Sequence, residues 1–133
     1  MTNSSQGKKK QSFLKAERLC SKKAIDTLFS KGITIKAYPL LVKYEIKNTD
    51  AEECTKILIS VPKRNFKRAV DRNLIKRKIR EAYRVNKHLI ETLSKENIFY
   101  HIAYIYVGKM LPSYQEIENK LIDTLERLVE QHT

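Results

Sequence analysis

The sequence has few acidic residues and no long hydrophobic run. Asp and Glu number 15 against 27 Lys and Arg, so the 133-residue chain carries a formal net charge of +12. No apolar run approaches the roughly 20 residues of a membrane-spanning helix, and none follows the polar N-terminus as a signal peptide requires. We therefore expect a cytoplasmic protein with no membrane partner. A positive surplus of this size makes nucleic acid the leading partner class.

The chain also has few residues suited to metal binding or catalysis. Cys20 and Cys54 lie far apart, with no Cys or His at metal-ligand spacing, which favours free thiols in a reducing compartment over a disulfide. The histidines, His88, His101 and His132, are scattered, and no Ser/His/Asp, Cys/His or paired-carboxylate pattern is evident. These features predict a binding protein with no catalytic residue and no metal site of its own.

Motifs typical of DNA-binding domains are missing as well. The sequence contains no zinc-ligand spacing, no heptad repeat and no pair of helices joined by a short turn. RNA is therefore the expected nucleic acid, and no DNA partner is expected. Single-stranded RNA stacks its bases on exposed rings, and Phe29, Tyr44, Phe66 and the tyrosines of residues 98–107 are candidates. Ordinary core packing is the alternative for each, and it is preferred for the tyrosines of residues 98–107.

The hydrophobic pattern predicts one α+β domain. Residues 1–12 resemble a disordered basic arm, and residues 13–133 form the domain. Ser21 and Gly32 bound a short amphipathic helix, and a last helix follows Pro112. The predicted strands are residues 33–37, 40–47, 56–61 and 98–107. The order is αβββαβα, with a sheet of about four strands packed by helices, a hairpin joining the second and third strands, and a strand–helix–strand crossover.

A dense basic block occupies residues 63–84. Ten of its 22 residues are Lys or Arg, opposed only by Asp71 and Glu81. Five basic residues recur every fourth position, which places them on one flank of a helix: Arg68, Arg72, Lys76, Arg80 and Arg84. A second, apolar stripe that includes Val70 and Ile79, with Leu74 or Ile75, can dock on the sheet. A merely solvated face would mix the two signs of charge, so the block predicts polyanion binding.

The same block resembles a known family. Ser60–Arg64 and Ala69–Arg84 are similar to the signature of the bacterial ribonuclease P protein component, which centres on Arg-Asn-Arg followed by a Lys-Arg…Arg-Glu helix. Residues 18–32 resemble the first helix of that family, and the likeness covers about residues 15–130. Leu74 stands at the third position of the Arg-Asn-Arg motif. Lys67 and Arg68 stand where the family often has Gly-Asn.

The resemblance implies a function and a set of partners. The protein would join a catalytic ribonuclease P RNA and bind precursor tRNA, so that the complex removes the 5′ leader hydrolytically. The RNA would carry the chemistry together with Mg²⁺, which it would mainly bind itself. The implied RNA-binding residues are Lys63, Arg64, Lys67, Arg68, Arg72, Asn73, Lys76, Arg77, Arg80 and Arg84. Ile25, Phe29 and Tyr44 would line a cleft for the leader, and the crossover would be left-handed, against the usual preference.

Two other functions share the same charge and size. A generic RNA-binding or ribosome-associated protein would bind RNA without any role in cleavage. A stand-alone nuclease would cleave RNA without an RNA subunit, and the scattered histidines argue against it.

Overall fold

The structure is a computed structural model that describes residues 17–48, 54–93 and 98–131, with the side chains of residues 92 and 93 left out. The elements, in chain order, are α1 (Lys22–Lys31), β1 (Ile33–Ala37), β2 (Leu40–Asn48), β3 (Lys56–Ser60), α2 (Ala69–Asn86), α3 (His88–Leu93), β4 (Ile98–Tyr106) and α4 (Tyr114–Gln131). The predicted order αβββαβα is confirmed, with the short helix α3 added after α2. The predicted basic arm, residues 1–12, lies outside the described residues.

The sheet is mixed, with the strand order β1-β2-β4-β3. β2 pairs antiparallel with both β1 and β4, whereas β3 pairs in parallel with β4. The predicted hairpin between the second and third strands is therefore wrong. β4, which is apolar on both faces, takes the place between them because a central strand gains the most burial. The parallel pair β3–β4 confirms the crossover through α2, and its left-handedness stays a prediction.

The main core lies on one face of the sheet. Val42 and Tyr44 of β2 share this face with Ile102 and Tyr104 of β4, because Val42 pairs with Tyr104 and Tyr44 pairs with Ile102. All four side chains are fully buried beneath helices α2 and α4, in one continuous hydrophobic cluster. α4 contributes an apolar stripe at helical spacing: Ile117, Leu121, Leu125 and Leu128.

α2 contributes Ile75, Ile79, Ala82 and Tyr83 to this core. Val70 was predicted to join them but is 67% exposed. At 100° per residue, Val70 lies on nearly the opposite side of the helix from Ile79, so both cannot face the sheet. Burying the Ile75 side therefore turns Val70 outward.

α1 packs on the opposite face of the sheet. Its Leu28 forms a small cluster with Leu19 and with Ala103 of β4, joined by Ile25 and Leu58. The helix begins as predicted, because the Ser21 hydroxyl accepts a hydrogen bond from the Ala24 amide. It ends at Gly32, whose amide donates to the Leu28 carbonyl over 2.8 Å.

The segment before α1 covers the exposed edge of β3. Arg18 forms a parallel bridge with Ile57, and the Leu19 amide donates to the Ile57 carbonyl over 2.8 Å. Glu17 fixes this segment to the α2–α3 junction, since the Lys87 ammonium donates to its two carboxylate oxygens over 2.9 and 3.0 Å. Both side chains of the pair are buried. None of the helices in the described ranges is long and apolar enough to cross a membrane.

Candidate RNA interface

The basic residues of α2 lie away from its buried stripe. Asn73 and Arg77 are exposed, whereas Lys76, Arg80 and Arg84 are half-buried along the helix flanks. Lys63, Arg64, Lys67 and Arg68 are all exposed in the loop before the helix. Nine of the ten residues proposed for RNA binding thus present polar groups at the surface. Their role in RNA binding stays a prediction.

Arg72 is different from its neighbours. Its guanidinium Nη1 donates to the Phe66 carbonyl over 2.8 Å and to the Lys67 carbonyl over 2.9 Å. These bonds hold the loop of residues 63–68 against the first turn of α2. Arg72 therefore positions Lys67 and Arg68, a role that its place in the four-residue repeat did not indicate.

Arg84 ends the basic row with an ion pair. Its Nη2 atom lies 2.6 Å from a Glu81 carboxylate oxygen. The hydrogen bond from Arg84 lowers the pKa of Glu81, so the pair stays ionised and Glu81 offsets part of the Arg84 charge. Lys76, Arg77 and Arg80 are accordingly the strongest candidates on α2 for contacts with phosphate.

A cavity of about 250 Å³, here called the edge groove, lies between α2 and β3. Arg18, Lys76 and Arg80 supply three cations along it, and Ile57, Leu58 and Ile59 form its apolar floor. Cations above an apolar floor suit a nucleic-acid strand, whose phosphates are charged and whose bases are not. Arg18 was missed as a binding residue, although it opens the helix motif that resembles the family.

The residues predicted to line the leader cleft are not all brought together. Ile25 is half-buried on α1, and Phe29, one turn later on the same flank, is 38% exposed. Tyr44 is fully buried on the other face of the sheet, where its hydroxyl donates to the side chain of Gln131. Tyr44 therefore cannot line a surface with Phe29.

Lys43 takes the place that Tyr44 was expected to fill. It pairs with Ala103, the residue on which α1 packs, so Lys43 projects from the α1 side of the sheet. Thr34 pairs with Lys43 and faces the same way, as does Lys36 two residues later. These residues lie on the same side of the sheet as Ile25 and Phe29, and we call the five together the leader groove, after the ligand predicted for this side. Strand alternation could have identified Lys43, but the aromatic character of Tyr44 was given more weight.

The other aromatic candidates are core residues. Phe66 is buried with its ring centroid 5.8 Å from that of Tyr106. Tyr100, Tyr104 and Tyr106 of β4 are buried too, which confirms the preferred interpretation of core packing. Burial raises the pKa of Tyr104 well above its ordinary value, because a charged phenolate loses hydration there.

Acidic and sulfur ligands are not gathered on this surface. Within residues 17–48, 54–93 and 98–131, no three His, Cys, Asp or Glu side chains lie close enough to hold a metal ion. Cys20 is exposed and Cys54 is half-buried. Mg²⁺ prefers carboxylate and carbonyl oxygens, so the cationic side chains of the edge groove and α2 do not fit it.

Comparison with known proteins identifies the family to which this sequence is similar. The family model described as Ribonuclease P matches residues 13–129. The ribonuclease P protein component of Porphyromonas gingivalis is 38% identical over 115 residues, which cover 86% of this chain and 84% of that protein. The component from Chlorobium phaeobacteroides is 32% identical over 121 residues, covering 83% of each chain.

Solved structures agree with the fold. The ribonuclease P protein of Staphylococcus aureus superposes with a TM-score of 0.68 at 26% identity, covering 86% of this chain and 96% of that one. The protein from Thermotoga maritima gives a TM-score of 0.66 at 24% identity, with 84% and 96% covered. The four-stranded sheet with its crossover is thus shared with both.

Proposed function

The chain belongs to the ribonuclease P protein family, and from this premise we propose that it is the subunit that helps a catalytic RNA remove the 5′ leader of precursor tRNA. The product would be the mature 5′ end of the tRNA. The observation that carries the proposal is the strongly basic surface of α2 and its preceding loop, in a chain that matches the family over residues 13–129.

The RNA subunit would bind along α2 and the edge groove. Lys76 and Arg80 present cations one turn apart, Arg77 adds a third beside them, and Arg18 extends the charge across the edge of β3. Phosphate contacts of this kind depend little on sequence and release counterions, so affinity should fall steeply as salt rises. Arg72 would act indirectly, because its guanidinium holds the loop that presents Lys67 and Arg68.

The 5′ leader would bind in the leader groove, on the other side of the sheet from the main core. Leaders differ in sequence, so a suitable surface binds them through base stacking and backbone charge rather than through hydrogen bonds to base edges. Phe29 offers an exposed ring for stacking, and Lys43 and Lys36 offer cations on the adjoining strands. Leu19 and Leu58 of the edge groove pack in the same hydrophobic cluster as Ile25 of the leader groove, so the two surfaces adjoin and one protein can contact both RNAs.

The hydrolytic chemistry would belong to the RNA subunit and to Mg²⁺ ions held mainly by RNA phosphates. Mg²⁺ supplies charge stabilisation and an activated water in such reactions. The cationic side chains of the described surface do not suit the ion, whose preferred ligands are oxygen atoms. The part of this chain is to bind and orient the two RNAs.

The test is cleavage of a precursor tRNA in Mg²⁺ at low salt, with purified protein, a bacterial ribonuclease P RNA, or both together. The protein alone should be inert, and it should strongly increase RNA-dependent cleavage at the mature 5′ end. RNA binding with no effect on cleavage would instead support a generic RNA-binding protein. Cleavage by the protein without added RNA would identify a stand-alone nuclease.

A further inference from the structure

A second cavity lies at the corner of the fold where β4 ends. It has a volume of about 640 Å³ and is enclosed by the β1–β2 turn, the loop from β4 to α4 and the first turns of α4. We call it the corner pocket. A volume of this order accommodates a small organic molecule, and thus one nucleotide. The edge groove and the leader groove share no lining residue with it.

The walls of the corner pocket are apolar and partly preformed. Tyr38 and Met110 line it with 68% and 80% of their surfaces exposed. The Tyr106 hydroxyl donates to the Met110 carbonyl over 2.6 Å, which fixes the loop across the end of the sheet. Exposed apolar groups gathered around a concave surface mark a binding site more often than a bare surface does.

Cations stand at the rim of the same pocket. Lys109 and Lys120 line it and are exposed, against one carboxylate, that of Glu116. That carboxylate accepts a hydrogen bond from the Ser113 amide over 3.2 Å, in a capping box at the start of α4. Glu116 is thus turned to the helix end, and the rim is left positive. An occupant with a flat apolar ring and a negative charge matches this combination, and a nucleotide has both.

Asn119 adds a group that can contact the edge of a base. Its side-chain carbonyl accepts a hydrogen bond from the side-chain amide of Gln115 over 2.9 Å, and its own amide nitrogen is a donor at the pocket lining. Asn119 belongs to α4 and Tyr38 to the β1–β2 turn, so a base stacked on the Tyr38 ring would have a hydrogen-bond donor on another wall of the pocket.

The corner pocket adjoins the basic loop before α2. The ring of Phe66, in that loop, packs against Tyr106, which lines the pocket. α2 itself also contacts the pocket wall, because the Lys78 ammonium donates a hydrogen bond to the carbonyl of Pro112, a lining residue, over 2.5 Å. An RNA strand on Lys67 and Arg68 could therefore pass directly to the pocket.

The corner pocket and the leader groove lie on different faces of the sheet. Tyr106 pairs with Leu40 on the core face of the sheet, whereas α1, with Ile25 and Phe29, packs on the opposite face. A strand held by Phe29 would have to leave its face of the sheet to reach Tyr38.

We propose that the corner pocket binds one unpaired nucleotide of the catalytic RNA subunit, with its base on Tyr38 and its flanking phosphates on Lys109 and Lys120. This inference rests on the proposed function and deepens it. It adds to α2 a second contact with the RNA subunit, one that depends on stacking rather than on charge alone.

The test compares the affinity of the full-length protein for ribonuclease P RNA among pocket variants. Tyr38→Ala should weaken binding about five-fold or more, because stacking on an aromatic ring is lost. Tyr38→Phe should bind within two-fold of the unchanged protein, since it keeps the ring. Ile33→Ala, which shortens an exposed apolar side chain of β1 outside the pocket and away from α2, is the matched control and should have no effect.

Salt dependence distinguishes the two kinds of contact. Lys120→Ala should reduce the slope of log affinity against log salt by about one, whereas Tyr38→Ala should leave the slope unchanged. Binding by Tyr38→Ala and Lys120→Ala equal to that of the unchanged protein would overturn the proposal. The unchanged protein is measured in parallel. If it failed to bind the RNA or to increase the rate of cleavage, the proposed function itself would be contradicted.

Crosslinking identifies the occupant directly. A photoreactive benzoylphenylalanine in place of Met110 should crosslink to a nucleotide of the RNA subunit, and Tyr38→Ala should reduce the yield at that nucleotide. Crosslinks confined to the tRNA leader, or none to any RNA in an active complex, would refute the assignment.

Discussion

Phe29 is the aromatic side chain of α1 that is placed to meet a single-stranded RNA, with 38% of its surface exposed beside Ile25. We expect Phe29→Ala to weaken binding of precursor tRNA by about 1–3 kcal/mol, the usual contribution of one stacked base. Mature tRNA has no leader, so its affinity should not change. The measurement is the dissociation constant of each tRNA from the assembled ribonucleoprotein.

Ser30→Ala is a matched control for Phe29→Ala, because Ser30 is exposed on the same turn of α1 and bonds only within the helix. It should alter neither constant. An equal loss of affinity for precursor and mature tRNA in Phe29→Ala would remove Phe29 from the leader groove.

Gly108 makes a close approach that no other residue could make. A Cβ atom there would lie 2.7 Å from the Tyr106 hydroxyl and 3.0 Å from Cβ of Pro39. Both neighbours are buried, so neither can move freely. We expect Gly108→Ala to lower the free energy of unfolding by about 1–3 kcal/mol through overpacking, measured by denaturant titration.

Removing the hydroxyl group should relieve part of this strain. The double variant Gly108→Ala with Tyr106→Phe should therefore lose less stability than the sum of the two single variants. Simple additivity of the two losses would show that the Tyr106 hydroxyl does not limit the space at Gly108.

The anchoring of one element depends on a buried ion pair. Glu17 and Lys87 connect the segment before α1 to the α2–α3 junction, and both side chains are almost fully buried. Lys87→Met should lower the free energy of unfolding by about 3–5 kcal/mol, because it leaves the Glu17 carboxylate buried without its partner. Denaturant titration measures the loss.

An exposed ion pair serves as the comparison. Asp123 and Arg127 are one turn apart on α4, with 45% of each side chain exposed, and Asp123→Asn should cost no more than about 1 kcal/mol. The double variant Glu17→Leu with Lys87→Met should be more stable than Lys87→Met alone. A loss no larger in Lys87→Met than in Asp123→Asn would contradict the anchoring role.

α2 shows how far helical periodicity predicts an element and where it stops. The predicted stripe through Ile79, with Leu74 or Ile75, indicated a buried side of the helix, and the structure selects Ile75. Val70 was placed in that stripe for its apolar character, although helical spacing puts it nearly opposite Ile79. Helical spacing could not show that Arg72 would bond to backbone carbonyls, because those carbonyls are positioned by the loop.

The molecule as a whole should lose stability in alkali. Burial raises the pKa of Tyr106 to about 12, and burial also raises the pKa values of Tyr83 and Tyr104 above the ordinary value near 10. Between these values the unfolded chain releases protons that the folded chain retains. The free energy of unfolding should thus be unaffected by these groups below about pH 9 and fall as the pH rises from about 10 toward 12.

Two measurements follow this transition: tyrosinate absorbance, and denaturant titration across the same pH range. The decline should be smaller in Tyr106→Phe, which has one fewer buried phenol. Tyrosine titration near pH 10 with no change in stability would mean that these hydroxyl groups are hydrated in the folded protein.

The sequence by itself determined the elements of this protein and its preference for a polyanion. Alternation and helical spacing are local properties, and net charge is a sum over the chain, so neither needs the fold. Residues 60–84, together with the helix motif of residues 18–32, indicated the family and, through it, the RNA-binding role.

The tertiary structure alone decided which faces and residues meet. Strand pairing between distant segments made β4 the neighbour of both β2 and β3, where chain order suggested a hairpin. That pairing put Tyr44 in the core and Lys43 beside α1, and it brought Arg18 to Lys76 and Arg80. The corner pocket likewise joins the β1–β2 turn to the distant stretch that runs from the end of β4 into α4. Such contacts depend on how long-range packing distributes burial over the whole sheet, which no local pattern records.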